Sequence, residues 1–247
     1  MLNLLKEHKY VSVNKLANIL NYSKSTIRRD LTNLSKIKLV QRTPGGAILI
    51  RDQYTEDPLD VRQYANANKK KIIADLAIDY IENYASVFLD SSSTCFFLAK
   101  KLKQKKHVVI VTPNLITVSY LELNTDNSVY CIGGKVTDQR SGGPESEMAT
   151  QNYFVDIMFF SCRGIDDSLG VSDRVETEAS IKRAMSKQAK KVVLLVDSTK
   201  FDNHFLFKSI EMANIDVIIS DKKPDKLFCE NLLKENHHME IIYPDTN

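Results

Sequence analysis

Residues 23–35 read Ser-Lys-Ser-Thr-Ile-Arg-Arg-Asp-Leu-Thr-Asn-Leu-Ser. Ser23 is placed to cap a helix, and Ile27, Leu31 and Leu34 follow at i, i+4 and i+7, which makes one buried stripe. At about 100° per residue, Ser25, Arg29, Thr32 and Lys36 point away from that stripe, with Arg28 on its flank. Upstream, Leu2, Leu4 and Leu5 predict a short first helix ending near His8. Ser12 then caps a second helix with Val13, Leu16, Ala17 and Leu20 as its apolar positions, and Asn21-Tyr22-Ser23 breaks it. Downstream, Leu39–Leu49 holds two β-prone runs about Pro44-Gly45-Gly46, which predicts a hairpin. Two helices joined by a tight turn and followed by a hairpin make a winged helix-turn-helix.

The charge distribution agrees with that layout. The 247 residues carry 34 Lys and Arg against 31 Asp and Glu, a net charge of +3. Residues 1–50 hold nine basic side chains against two acidic ones, or +7, leaving 25 against 29, or −4, for the rest. A basic head on a mildly acidic body points to polyanion binding at one end. Arg pairs bidentately with guanine edges, and Ser and Thr contact bases or phosphates. The candidate DNA contacts are Ser23, Ser25, Thr26, Arg28, Arg29 and Lys36, with Arg42 in the wing placed to meet a phosphate. Charge alone would favour a small helical bundle with a solvated basic face; the capped turn, the stripe and the wing together outweigh that reading.

These residues carry a family likeness. Tyr10-Val11-Ser12-Val13, Leu16-Ala17, Ser25-Thr26-Ile27-Arg28-Arg29-Asp30-Leu31, Arg42 and Gly45-Gly46-Ala47 resemble the DeoR-type winged helix-turn-helix. Against that pattern the start reads as clipped, and Pro44 stands where the family usually has a His before its paired glycines.

Residues 51–68 are polar, contain Pro58 and read as a linker between a head at 1–50 and a body at 69–247. Lys69-Lys70-Lys71 opens a helix with Ile72, Ile73, Leu76, Tyr80 and Ile81 on its inner face; a solvated helix start is preferred over a DNA contact for the three lysines. Strands are expected at 86–90, 107–112, 128–132, 156–161, 191–197, 216–220 and 240–243, with helices near 94–102, 114–123 and 177–189. Short buried strands alternating with helices predict an open, mostly parallel α/β sheet, in which ligands sit beyond the carboxyl ends of the strands.

Polar residues gather at those ends. Asp90-Ser91-Ser92-Ser93-Thr94 runs from the first strand into a helix, offering hydroxyls and N–H groups to a phosphate. Asp90 would repel phosphate and is assigned to a sugar hydroxyl or to holding the loop. Thr112 and Asn114 end the second strand, Gly133-Gly134-Lys135 the third, Arg163-Gly164-Ile165-Asp166 the fourth and Asp197-Ser198-Thr199-Lys200 the fifth. Gly134 allows close backbone approach, while Lys135 and Lys200 supply cations. A serine run or a Gly-Gly alone is more often a cap or a turn; recurrence at successive strand ends is the stronger signal, and it describes a pocket for a small anionic, hydroxyl-rich molecule.

Across roughly 70–222 the body resembles the DeoR-type sensor domain, through Asp90–Thr94, Thr112 with Asn114, Gly133-Gly134-Lys135, Gly143-Pro144, Gly164-Ile165-Asp166, Glu178 with Lys182-Arg183, and Asp197–Phe201. Ser92 stands at the family's usual glycine. The likeness implies a fold similar to ribose-5-phosphate isomerase and a response to phosphorylated sugars. An isomerase would need a base, for which Asp166, Asp167, Glu176 and Glu178 are candidates, but the acidic loop followed by Lys-Gly-Gly-Gly is absent. Glu178 and Lys182 suit an i,i+4 ion pair as well as a ligand contact. An isomerase-like enzyme with an appended nucleic-acid module is therefore the lesser reading. The greater is a non-enzymatic transcriptional regulator, a repressor of a carbohydrate-utilisation operon, whose partners are operator DNA, a phosphorylated sugar and further copies of itself as a dimer or tetramer.

Composition bounds the rest. A hydrophobic share of 43% and a charged share of 26% fit a folded globular protein. No apolar run approaches the ~20 residues of a membrane helix, and the start has too short an apolar stretch for a signal peptide. Cys95, Cys131, Cys162 and Cys229 are scattered without a C-x-x-C pair and read as four buried thiols in a reducing cytoplasm. No cofactor and no metal are expected.

Overall fold

A computed structural model describes residues 1–8, 10–36, 39–49 and 62–244, and the chain divides into two compact units, Met1–Pro58 and Leu59–Asn247. Residues 51–61 of the expected linker lie outside the described residues.

The first unit runs α1 (Leu2–Glu7), β1 (Val11–Ser12), α2 (Val13–Leu20), α3 (Lys24–Lys36), β2 (Val40–Thr43) and β3 (Gly46–Leu49). Both expected caps form: Ser12 Oγ accepts from the Lys15 N–H at 3.1 Å, and Ser23 Oγ from the Thr26 N–H at 3.1 Å. Each satisfies one of the N–H groups that a helix start leaves unpaired, a contribution of about 1 kcal/mol. Asn21 closes α2 at φ 53°. Ile27 and Leu31 are buried as the stripe requires, whereas Leu34, at the end of α3, is only half-buried. The wing turn is Pro44-Gly45, with Gly45 at φ 84°, the arrangement of a type II turn. Gly46 is already in β3. The sequence reading missed β1, which pairs with β3 and completes a three-stranded sheet in the order β1-β3-β2. That pairing explains Gly46: a Cβ there would lie 2.5 Å from the Val11 carbonyl oxygen and 2.6 Å from the Tyr10 ring.

The second unit contains α4 (Ala67–Ala77), β4 (Ser86–Leu89), α5 (Ser93–Ala99), β5 (Val109–Thr112), α6 (Leu115–Asn124), β6 (Ser128–Cys131), β7 (Lys135–Thr137), β8 (Arg140–Gly142), α7 (Pro144–Thr150) and β9 (Val155–Phe160). It continues through β10 (Gly164–Asp166), β11 (Gly170–Asp173), α8 (Glu176–Ser186), β12 (Ala189–Val196), β13 (Phe207–Lys208), β14 (Val217–Ser220), α9 (Lys226–Glu235) and β15 (Glu240–Ile242). Seven strands form one sheet in the order β15-β14-β12-β9-β4-β5-β6, every pair parallel. These are the seven expected strands.

Side-chain alternation assigns their residues to two cores. Phe88, Met158, Phe160, Leu194 and Ile218 face one side, with Ile181 and Met185 of α8 and Phe228 and Leu232 of α9. Val87, Leu89, Ile157, Phe159, Val193 and Ile219 face the other, with Ile73 and Ala77 of α4 and Cys95 and Leu98 of α5. A three-layer arrangement follows from the period of two. Phe88, Phe159 and Phe160 are each completely buried, a gain of roughly 1.5–3 kcal/mol apiece. Strand order reverses between β4 and β9, the switch point at which open sheets leave a crevice beyond their carboxyl ends.

Several expectations change. The inner face of α4 carries Ile73, Ala74 and Ala77, while Ile72 is exposed. Lys70 falls on that same inner stripe and is buried, so the lysine triplet is not a uniformly solvated helix start. The fourth sheet strand ends at Phe160; Gly164–Asp166 belongs to a separate antiparallel sheet, β10-β11-β13. Helix α9 and the β7-β8 hairpin were not expected. Cys95 and Cys162 are buried, but Cys131 is exposed on the edge strand β6 and Cys229 is half-buried, so the thiols are not all interior. Among the described residues, no helix is long and apolar enough to cross a membrane.

Gly46→Ala should drive a methyl group into the β1–β3 pairing and destabilise the first unit by about 1–3 kcal/mol. Calorimetry of the full chain would show the transition of residues 1–58 lowered and that of 59–247 unchanged.

Candidate functional site

In the head, α3 presents its polar face to solvent. Ser23, Ser25, Arg28, Arg29 and Lys36 are exposed and Thr26 is half-exposed. The hydroxyls at the helix start form one cluster: Ser23 Oγ lies 2.7 Å from Ser25 Oγ and 2.9 Å from Thr26 Oγ1. Arg29 Nε is 4.0 Å from Asp30 Oδ1, with the Arg29 side chain 75% exposed, so this ion pair is too solvated to hold the guanidinium. Arg42 is exposed on the wing and donates from Nη1 to Thr32 Oγ1 at 2.9 Å, while Thr32 Oγ1 donates to the Arg28 carbonyl at 2.8 Å. This chain of bonds fixes the wing's first strand against α3.

In the body, the strand-end residues meet around the β4/β9 switch point. Asp90 is completely buried. Its Oδ1 accepts from the Ser92 N–H at 2.8 Å and its Oδ2 from the Ser161 N–H at 2.9 Å, so one carboxylate joins the loops after β4 and β9. Ser92 sits at φ −75° and caps α5, accepting from the Cys95 N–H at 3.1 Å. This position therefore does not require glycine's positive φ. Ser91, Ser93 and Thr94 are buried beside it, and Thr94 Oγ1 has no hydrogen-bond partner among the described residues. Asn114 caps α6, its Oδ1 accepting from the N–H groups of Ile116 and Thr117, while its Nδ2 donates to the Ser91 carbonyl at 3.3 Å. Thr112 Oγ1 accepts from the Asn114 N–H at 3.2 Å. Lys200 donates to Ser161 Oγ at 2.9 Å and lies 3.9 Å from Asp197.

Three predicted residues stand apart from this ring. Gly134, at φ 131°, is approached by Ser146 of α7: a Cβ there would lie 2.1 Å from Ser146 Oγ. Its lack of a side chain thus accommodates protein. Lys135 is exposed at the start of β7. Asp166 closes the β10–β11 turn, accepting from the Ser168 and Leu169 N–H groups and the Ser168 hydroxyl, and the Ser168 bonds hold its carboxyl below the usual range. It lies at the tip of that hairpin, opposite Gly170, rather than at a sheet strand end.

Beneath the ring lies a network of charges of which the sequence reading held only Asp90, Glu178 and Lys182. Lys182 Nζ sits 2.9 Å from both carboxylate oxygens of Asp173, 3.7 Å from Asp90 and 3.7 Å from Glu178. Glu178 is also 2.8 Å from Arg140 Nε. Burial alone would lower the Lys182 pKa, but Asp173, Asp90 and Glu178 outweigh it and hold the ammonium firmly charged. The i,i+4 pairing of Glu178 and Lys182 was legible; Asp173, Arg140 and Ser161 were not. An ammonium so tightly held, with its neighbouring carboxylates engaged, is poorly placed to move protons.

Lys70 is the opposite case. Its Nζ donates to the carbonyls of Arg62 at 2.5 Å and Ala65 at 2.6 Å. Burial first, then repulsion from Lys200, lowers its pKa to about 7 against the pull of Asp197, with Arg62 and Arg163 adding to the drop.

Residues 65–222 match the DeoR C terminal sensor domain and residues 1–53 the DeoR-like helix-turn-helix domain. The chain belongs to the DeoR family of transcriptional regulators. It is 31% identical over 228 residues to the HTH-type transcriptional regulator GolR of Listeria innocua, covering 92% of this chain and 90% of that one. It is 32% identical over 224 residues to the L-fucose operon activator of Haemophilus influenzae, covering 89% and 90% respectively. It is 31% identical over 223 residues to a putative aga operon transcriptional repressor of Escherichia coli O157:H7, covering 88% and 82%. These relatives are named as regulators, not enzymes. Among solved structures, ribose 5-phosphate isomerase A of Methanocaldococcus jannaschii aligns at TM-score 0.42 and 14% identity over 55% of each chain, too loosely to bear on function.

Lys182→Met should leave Asp90, Asp173 and Glu178 buried without their shared cation and destabilise the body by about 3–5 kcal/mol at pH 7. Urea denaturation at pH 7 measures the loss.

Proposed function

We propose that this regulator is a repressor of a carbohydrate-utilisation operon, released or engaged by a phosphorylated sugar bound at the strand-end ring of its sensor. The observation that carries the reading is the convergence of Ser91, Ser92, Ser93, Thr94, Thr112, Asn114 and Lys200 at one switch point. Buried hydroxyls beside a half-buried ammonium suit a polyhydroxylated anion. The Thr94 hydroxyl, without a partner among the described residues, offers a hydrogen bond to such a molecule. Asp90 holds the floor of this site, while Gly134, Lys135 and Asp166 stand apart from it. The name of the Haemophilus relative, an L-fucose operon activator, supports the sugar connection.

At the other end, Ser25, Arg28 and Arg29 read the major groove. Ser23, Thr26, Lys36 and Arg42 fix the register through phosphates, Arg42 by way of the wing. Residues 1–50 act as the operator-binding head, 51–68 as the linker and 69–247 as the sensing and oligomerising body of a cytoplasmic dimer or tetramer. Two-fold assembly supplies the paired heads that a palindromic operator needs.

Arg29→Ala should cost about 1–3 kcal/mol of operator binding and relax base preference at one position, whereas Arg42→Ala should weaken all sequences alike. Fluorescence anisotropy on an operator duplex and its single-base variants separates the two. For the sensor, the same titration with a panel of pentose and hexose phosphates should find one that shifts operator affinity roughly 5–150-fold, with the unphosphorylated sugar inactive. Ser93→Ala with Thr94→Val should abolish that shift and leave operator affinity alone; an unchanged shift removes the hydroxyls from the site.

A further inference from the structure

The chain enters the sensor through residues 62–70, and this segment is fastened to the loop that follows β12. Asn66 donates from Nδ2 to Asp197 Oδ1 at 3.3 Å and to Thr199 Oγ1 at 3.1 Å. Lys69 donates to Ser198 Oγ at 2.6 Å and lies 3.8 Å from Asp221. Ser198 is in turn held by Asp221, which accepts from its N–H at 2.6 Å and its hydroxyl at 3.0 Å. Lys70 binds the segment to itself through the carbonyls of Arg62 and Ala65.

Asn66 makes this fastening informative. It occupies the N-cap position of α4, where an Asn side chain ordinarily accepts from the helix's own N–H groups. Here it makes no such bond; its backbone is left-handed at φ 55° and its side chain reaches residues 131 and 133 positions away in sequence. A local cap has been replaced by a tie to the sheet loop.

The same loop carries Lys200. From Asn66 the contacts run to Asp197, from Asp197 to Lys200 at 3.9 Å, from Lys200 to Ser161 at 2.9 Å, and from the Ser161 N–H to Asp90 at 2.9 Å. Asp197 thus faces the entry segment on one side and a cation of the strand-end site on the other. An anion beside Lys200 competes with Asp197 for that ammonium, and whatever alters the charge balance of Asp197 alters its hold on Asn66. The head is joined to the sensor by the chain preceding this segment, so a change in the tie has a covalent route to the head.

We propose that residues 62–70 are the element through which the state of the strand-end site reaches the DNA-binding head, with Asn66 and Lys69 as its attachments and the 197–200 loop as the shared part. This rests on reading the strand ends as the effector site, yet it can be tested without any effector. Operator affinity of the full chain is measured for wild type, Lys200→Met, Asn66→Gly and the double variant, on a duplex selected in vitro. Asn66→Gly suits the purpose because glycine keeps the left-handed backbone and removes only the side-chain ties.

The expected result is that Lys200→Met shifts operator Kd by roughly fivefold or more, the lower end of ordinary site-to-site coupling, and that its effect falls below about twofold in the Asn66→Gly background. Lys69→Ala in place of Asn66→Gly should suppress the Lys200→Met shift in the same way, which gives an answer if either entry-segment variant is unstable. Equal shifts in all backgrounds, or no shift from a folded Lys200→Met protein, overturn the proposal. A failed sugar-phosphate screen would overturn the effector reading and leave the cycle intact. A sugar phosphate that acts equally on wild type and Asn66→Gly would do the reverse.

Discussion

Asp90 sits where the sheet changes direction, and its two oxygens are divided between the halves. One receives the N–H of Ser92 from the loop after β4, the other the N–H of Ser161 from the loop after β9. The loops on the two sides of the switch point are therefore positioned by a single buried anion. That anion persists in the interior because Lys182 is held close by, and Lys182 is itself kept charged chiefly by Asp173. A lone buried carboxylate would cost several kcal/mol in desolvation. One ammonium is shared among three carboxylates, with Arg140 at Glu178, and this network fastens α8 to the strands and loops around Asp90.

The fold was legible where its physics is local. Buried runs such as Val-Phe-Leu at 87–89 and Val-Val-Leu-Leu-Val at 192–196 have few alternatives to strands in a parallel sheet, and Ser12 and Ser23 announce their helices by chemistry alone. The missed strands are those defined by a distant partner. Strand β1 is two residues long and exists because Gly46 lets β3 approach; the β7-β8 and β10-β11 hairpins are short, polar and glycine-containing.

The candidate site divides in the same way. Hydroxyls in loops at strand ends could be found from strand positions. The rest of the ion network could not, since Asp173 lies 9 positions from Lys182 and Arg140 lies 38 positions from Glu178, and only the tertiary fold brings each to its partner. Lys70 did leave a signal: with Ile73, Ala74 and Ala77 it falls at i, i+3, i+4 and i+7, on the buried stripe. The charge of its neighbours hid it. In the head, by contrast, outward-facing Arg28 and Arg29 followed directly from helix phase, because the wing meets α3 at Thr32 and leaves those two side chains exposed.

Ser92 has a consequence for the unbound chain. In a backbone conformation open to any L-residue, serine restricts the unfolded ensemble more than glycine would, by a free-energy difference of about 0.4–1 kcal/mol. Its hydroxyl then anchors the first turn of α5. The loop is thus ordered by its own sequence, and the proposed effector would meet a surface whose conformational entropy has already been surrendered during folding. Its association would lose little to further ordering, so few contacts would suffice.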